Sequence, residues 1–202
     1  MNLYYAPGAC SLSPHIVARE AGLDIDLCKV DLKSHMLESG ADFTEINPKG
    51  YVPTLQLEGG EVLTEGPTIV QFMAEQKPDA GLLPESGSLD RYRVQEWLNF
   101  ISTELHKAFA PLFSDASDGE KEEAKKRIGK RFDYVESRLE GKYLVGDRFT
   151  VADAYLFTIA NWLDQHNIDT SRWPKLQAYQ KRVAERPPVR EALREEGLLE
   201  EK

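Results

Sequence analysis

The sequence predicts an α/β unit with a mixed sheet, ordered βαβ–ββα over residues 1–77, followed by an all-helical region over residues 88–202. Three observations predict this. Short strand-like runs alternate with helix-like runs as far as residue 77. Residues 78–87 hold two prolines and two glycines and read as a linker. Beyond them apolar residues recur only at helical spacing.

Leu3-Tyr4-Tyr5 reads as the first strand, and Ile16 to Ala21 has helical composition with Gly22 as its stop. Ile25 to Leu32 alternates with period two, which suits a half-buried strand. Residues 33–46 are polar and irregular, with room for one short helix, and Asn47-Pro48-Lys49-Gly50 is a turn. Val52 to Glu58 and Glu61 to Thr64 form a hairpin about Gly59-Gly60. Pro67 fits the first turn of the helix that follows, where its missing N–H costs nothing. In the second region a long helix over 89–113 carries the apolar line Val94, Leu98, Ile101, Leu105, Ala108 and Leu112. A second helix, over 121–139, buries Ile128, Phe132, Val135 and Leu139. Thr150 and Asp153 resemble a capping box with Asp in place of Glu, so both are read as structural. Residues 154–160 are apolar nearly all round and predict the buried centre of the helical region. Helices over 173–184 and from Pro187-Pro188 complete the chain.

With 202 residues the chain can hold one large or two small domains, and 41% hydrophobic with 29% charged residues is ordinary for a globular protein in water. No apolar run reaches membrane-spanning length, and no basic stretch followed by a long apolar one opens the chain, so the cytoplasm is expected. A net charge of −9 opposes binding to nucleic acid or an anionic membrane surface. Cys10 and Cys28 are the only cysteines, and no metal-ligand spacing is present, so no metal site is expected.

Four places carry candidate chemistry. In the turn Tyr5 to His15, Pro7-Gly8 forces a loop, and Cys10 falls at or just before a helix start. Unpaired amides and the positive end of the helix dipole favour an anion there and predict a lowered thiol pKa. The competing reading is a small buried hydrophobe. Val52-Pro53-Thr54 is a candidate cis peptide that would turn the Val52 N–H and C=O toward the Cys10 loop, and a trans edge-strand proline is the alternative. Glu65-Gly66 pairs a carboxylate with free helix-start amides, suited to an amino-acid head group. Asn99, Thr103 and His106, spaced i, i+4, i+7, share one helix face, with Lys107 beside them for positive charge. His35 and Lys49 are weaker candidates for a ligand carboxylate.

Six stretches together resemble the cytosolic glutathione S-transferases, most closely the bacterial beta class. They are Pro7 to Ser11, Asn47 to Pro53, Leu63 to Gly66, Glu96 to Asn99, Glu104 to Lys107 and Phe149 to Leu156. The resemblance spans the chain. It implies a thioredoxin-like N-terminal domain, an all-helical C-terminal domain, a homodimer and a cis Pro53. It also implies glutathione as co-substrate, with no prosthetic group, and a small hydrophobic electrophile as its reaction partner. Carried onto this sequence, it makes Cys10 and His106 catalytic and sets the glutathione sulfur beside Cys10. Ser11, His35, Val52, Pro53, Glu65 and Gly66 then hold glutathione. Asn99, Thr103, Glu104, Leu105, His106 and Lys107 close the site, in part from a partner subunit. The class often has Lys where this chain has His35. Two alternatives stand: thiol–disulfide exchange or peroxide reduction through a Cys10 mixed disulfide, and a non-catalytic carrier of apolar ligands using Tyr5, Phe109 and Phe113.

Overall fold

A computed structural model describes residues 1–199. The chain divides into two compact units, one made of Met1–Leu83 with residues 185–199, the other of Pro84–Ala184.

The first unit is built on a sheet of β1 (Asn2–Tyr5), β2 (Asp26–Asp31), β3 (Met36–Leu37), β4 (Thr54–Gln56) and β5 (Val62–Thr64), in the order β3-β2-β1-β4-β5. β1 and β2 run parallel, as a strand–helix–strand crossover requires, and the other pairings are antiparallel. The crossover is α1 (Leu12–Ala21), ended by Gly22 in the left-handed region, where the missing Cβ removes the steric cost. α2 (Gly66–Glu75) packs against α1. Leu3, Ile16, Val17, Leu55, Ile69, Val70 and Met73 are fully buried and form the apolar centre of this unit. The mixed βαβ–ββα sheet is as read from sequence, with one addition. Residues 33–46, read as irregular, contain β3, which pairs Val30 with Leu37 at the sheet edge. Two residues are too short for a period-two pattern to register. The short helix expected there is the 3₁₀ turn Phe43–Glu45.

The division between the units also differs from the sequence reading, which gave every residue beyond 87 to the helical region. The terminal helix α7 (Pro187–Glu195) packs on α1. Arg186 holds Glu20 through two bonds of 2.6 and 2.7 Å, and Arg19 holds Glu195 at 2.7 and 3.0 Å. Bidentate guanidinium–carboxylate pairs fix orientation as well as distance. They join residues too far apart in the chain for local pattern to reveal.

The second unit is helical. α3 (Leu89–Phe100) starts at Ser88, whose hydroxyl accepts the Arg91 N–H at 3.2 Å. The expected single helix over 89–113 is three segments: α3, a π turn at Ile101–Leu105 and a 3₁₀ stretch at His106–Phe113. Thr103 bonds back to the Asn99 carbonyl at 2.9 Å, and Pro111 lacks the N–H an α-helix needs. α4 (Asp118–Arg138) opens on a Ser117/Glu120 capping box. α5 (Val151–Gln165) is buried along most of its length, the expected centre of this unit, and α6 (Pro174–Ala184) packs on it. The Asp153 carboxylate is fully buried and accepts from Leu144 N–H, Thr150 N–H, the Thr150 hydroxyl and the Tyr179 hydroxyl, at 2.8–3.0 Å. Burial pushes its pKa up to about 6 against the pull of those four donors. Its work is structural, as read. No helix among the described residues is long and apolar enough to cross a membrane.

Candidate functional site

The loop between β1 and α1 is stitched from within. Ala9 N–H bonds to Ala6 O at 3.0 Å, and the Ser11 hydroxyl both accepts from Ala6 N–H at 3.1 Å and donates to Ala6 O at 3.2 Å. Ser11 is fully buried, and its hydroxyl closes the loop. That closure delivers Cys10 immediately before α1, as read from sequence. The Cys10 thiol is free, and its S–H donates to the Val52 carbonyl at 3.2 Å. The backbone amides of Cys10 and Ser11 face the sulfur and favour the thiolate. Burial acts the other way and wins, pushing the thiol up to about 12, with the Glu65 charge adding to the rise. The lowered pKa expected from the helix start is therefore reversed, because two amides do not replace the hydration a thiolate would lose. Without added glutathione, alkylation of Cys10 by iodoacetamide should keep accelerating beyond pH 9. A plateau near pH 8 to 9, the behaviour of an ordinary thiol, would contradict this.

Val52 is placed by Asn47. The buried Asn47 amide donates to Tyr51 O at 2.9 Å and to the Thr54 hydroxyl at 2.8 Å, and its oxygen accepts Lys49 N–H at 3.1 Å. The Val52–Pro53 peptide is cis, the first of the two readings offered for it. The Val52 carbonyl faces Cys10, and the Val52 N–H makes no hydrogen bond among the described residues.

Glu65 precedes α2 with φ of +70°, a conformation rarely adopted by residues other than glycine and a mark of functional segments. Its carbonyl accepts Thr68 and Ile69 N–H, both at 3.0 Å, which leaves the Gly66 amide at the open helix start. Its carboxylate holds Lys49 Nζ at 2.9 Å, and Lys49 also donates to the Thr64 hydroxyl at 2.9 Å. His35 lies beside the turn that carries Lys49. Its ring lies over Gly50, where an added Cβ would come within 3.1 Å, and its buried Nδ1 has no hydrogen-bond partner among the described residues. Cys28 packs against the cluster of Tyr4, Val30, Phe43 and Val52, the small-hydrophobe role first weighed for Cys10.

In the second unit the expected stripe does not hold. The π turn bonds His106 N–H to Ile101 O, five residues back, so the i, i+4, i+7 rule fails across it. Asn99, Thr103 and Lys107 are exposed, whereas His106 is half-buried. The His106 Nδ1 lies 2.7 Å from the Tyr155 hydroxyl, and its ring packs against Trp162. Glu104 pairs with Arg131 at 2.5 Å, and Leu105 is core. Phe109 is core as well, while Phe113 is 56% exposed.

Two family models match this chain: the N-terminal domain of glutathione S-transferase over residues 8–76 and its C-terminal domain over residues 100–187. The chain is 45% identical to the glutathione S-transferase GstA of Escherichia coli O157:H7, covering 98% of this chain and 100% of the relative. This chain belongs to the glutathione S-transferase family. A sphingomonad glutathione S-transferase solved with glutathione superposes with a TM-score of 0.95 at 44% identity, over 98% of this chain and all of that one. The bacterial glutathione S-transferase BphK, solved as a ternary complex, gives 0.96 at 54% identity with the same coverage.

As a glutathione S-transferase fold, the first unit brings Cys10 to Val52 and Lys49 to Glu65, and it engages the Ser11 hydroxyl within the loop. Sequence reasoning missed one contact to this loop. Gly8 N–H donates to Glu196 at 2.9 Å, from the end of a helix assigned to the other region. No local signal pointed to it.

Proposed function

We propose that this chain is a transferase that binds glutathione with its sulfur at Cys10 and stabilises the thiolate for attack on a small hydrophobic electrophile. The observation that carries the reading is the Val52 backbone, with its N–H unpartnered among the described residues and its carbonyl turned to the Cys10 thiol. An extended peptide pairing with Val52 as a strand would set its cysteinyl side chain against Cys10. With its pKa near 12, Cys10 keeps its proton at neutral pH and serves as a donor to the incoming sulfur. That favours conjugation over a mechanism opening on a Cys10 thiolate. The developing charge is met by the Cys10 S–H and by the amides at the start of α1.

The γ-glutamyl end goes to Glu65 and the Gly66 amide, its ammonium group sharing Glu65 with Lys49. On the second unit, His106, oriented by Tyr155, is the proposed proton-handling group, and the exposed Asn99, Thr103 and Lys107 are proposed as ligand contacts. A homodimer belongs to the same reading, since the exposed rings of Tyr51, Tyr92 and Tyr134 supply aromatic area for an interface. The two free cysteines suit a reducing compartment, the cytoplasm.

Turnover of 1-chloro-2,4-dinitrobenzene by wild type and Glu65→Gln tests the assignment. Glu65 is well exposed, so solvent screening limits the loss to roughly threefold to tenfold in the KM for glutathione, with kcat within about twofold. An unchanged KM would remove Glu65 from the site.

A further inference from the structure

The end of α7 reaches the Cys10 loop through a chain of buried polar contacts. The Glu196 side chain has no solvent exposure, yet it is a carboxylate, and a charge in that position persists only when it is paired. One oxygen accepts Gly8 N–H at 2.9 Å, and the other lies 2.9 Å from His15 Nδ1. His15, on α1, is itself fully buried, and its Nε2 lies 2.7 Å from Glu195, which Arg19 grips from the outside. The loop's own bonds close on Ala6 from Ala9 and Ser11, whereas the bond to Glu196 holds the same loop from outside, two residues before Cys10. Gly8 has φ of +70°, so this turn takes a shape that L side chains resist and an outside bond can set.

We propose that Glu196 is a positioning residue for Cys10: by fixing the Gly8 amide it sets how deeply the thiol is covered and how it meets Val52. The kinetic half of this claim rests on the function proposed above. The chemical half, the accessibility of Cys10, does not.

The test is iodoacetamide labelling of the full chain, read by peptide mass spectrometry at Cys10 and Cys28 separately, alongside glutathione kinetics. In Glu196→Ala, Cys10 labelling should rise about tenfold or more while Cys28 labelling stays the same, and the KM for glutathione should rise several-fold more than kcat falls. Glu196→Gln should restore both to within about twofold of wild type. Its amide oxygen accepts from Gly8, and its amide N–H donates to His15 Nδ1 once the imidazole proton sits on Nε2. If the alanine variant does not fold, Glu196→Asp carries the test: one methylene shorter, it cannot reach both partners, and Cys10 labelling should again rise alone. Equal rises at Cys10 and Cys28 would mean general loosening of the unit and would overturn the proposal. Unchanged Cys10 labelling would overturn it as well. No turnover by the wild-type protein, together with a rise in labelling at Cys10 alone in Glu196→Ala, would leave the positioning role intact and remove the proposed function.

Discussion

Replacing Cys10 by alanine is expected to lower glutathione-dependent turnover by about tenfold to a hundredfold. The expectation follows from what the thiol supplies. A hydrogen bond to a charged partner is worth about 1.5–3 kcal/mol, which converts to roughly that range in rate when it is made to the reacting sulfur. The fold should survive the change. The thiol ends a loop, and its S–H bond to Val52 O at 3.2 Å is weak because a thiol is a poor donor. Alanine also keeps the backbone amides of residues 10 and 11 in place. Melting should shift by about 3 °C or less, corresponding to roughly 1 kcal/mol in a chain of this size. Turnover equal to wild type on conjugation and on disulfide substrates alike would remove Cys10 from the chemistry.

Asp153→Ala should produce the largest loss of stability, about 3–5 kcal/mol. Four donors now end on one carboxylate: two backbone amides, a threonine hydroxyl and the Tyr179 hydroxyl. Alanine leaves the two amides and the Thr150 hydroxyl in a buried place without that acceptor, while the Tyr179 hydroxyl keeps the residue-153 carbonyl at 3.1 Å, and each orphaned donor costs about 1–3 kcal/mol before any relaxation. A cavity where the carboxylate stood adds to the loss. The affected groups belong to the start of α5, the loop at Leu144 and α6, so the damage spreads through the second unit rather than fraying one end. Urea unfolding should show the loss as a lower midpoint. A change below about 1 kcal/mol would mean that water or rearrangement satisfies the donors.

Much of this fold was legible because its signals are local. The Pro7-Gly8 loop before a helical run placed Cys10 at the start of α1, and the hydroxyl–carboxylate spacing of Thr150 and Asp153 identified a cap. The hairpin about Gly59-Gly60 and the buried α5 were read the same way. What escaped is long-range or energetic. Glu196 finds Gly8 and His15 only after the chain has folded back through α7. The π turn at Ile101–Leu105 breaks a periodicity that the sequence keeps intact, which is why His106 faces Tyr155 and not the stripe expected for it. The Cys10 thiol was misjudged because helix-start amides can be read from position, whereas desolvation depends on how the folded chain covers the sulfur.

The central claim is that this site makes a thiolate of glutathione rather than of Cys10. It is tested most directly by titrating the ultraviolet thiolate absorbance of the protein with glutathione bound, and with Cys10→Ala for comparison. Because burial pushes the Cys10 thiol up to about 12 and raises that of Cys28 as well, absorbance gained below about pH 8 belongs to glutathione. The midpoint for bound glutathione is expected below that of the free tripeptide, moving back toward it in the alanine variant. A midpoint at or above that of free glutathione in the wild-type protein would contradict the claim.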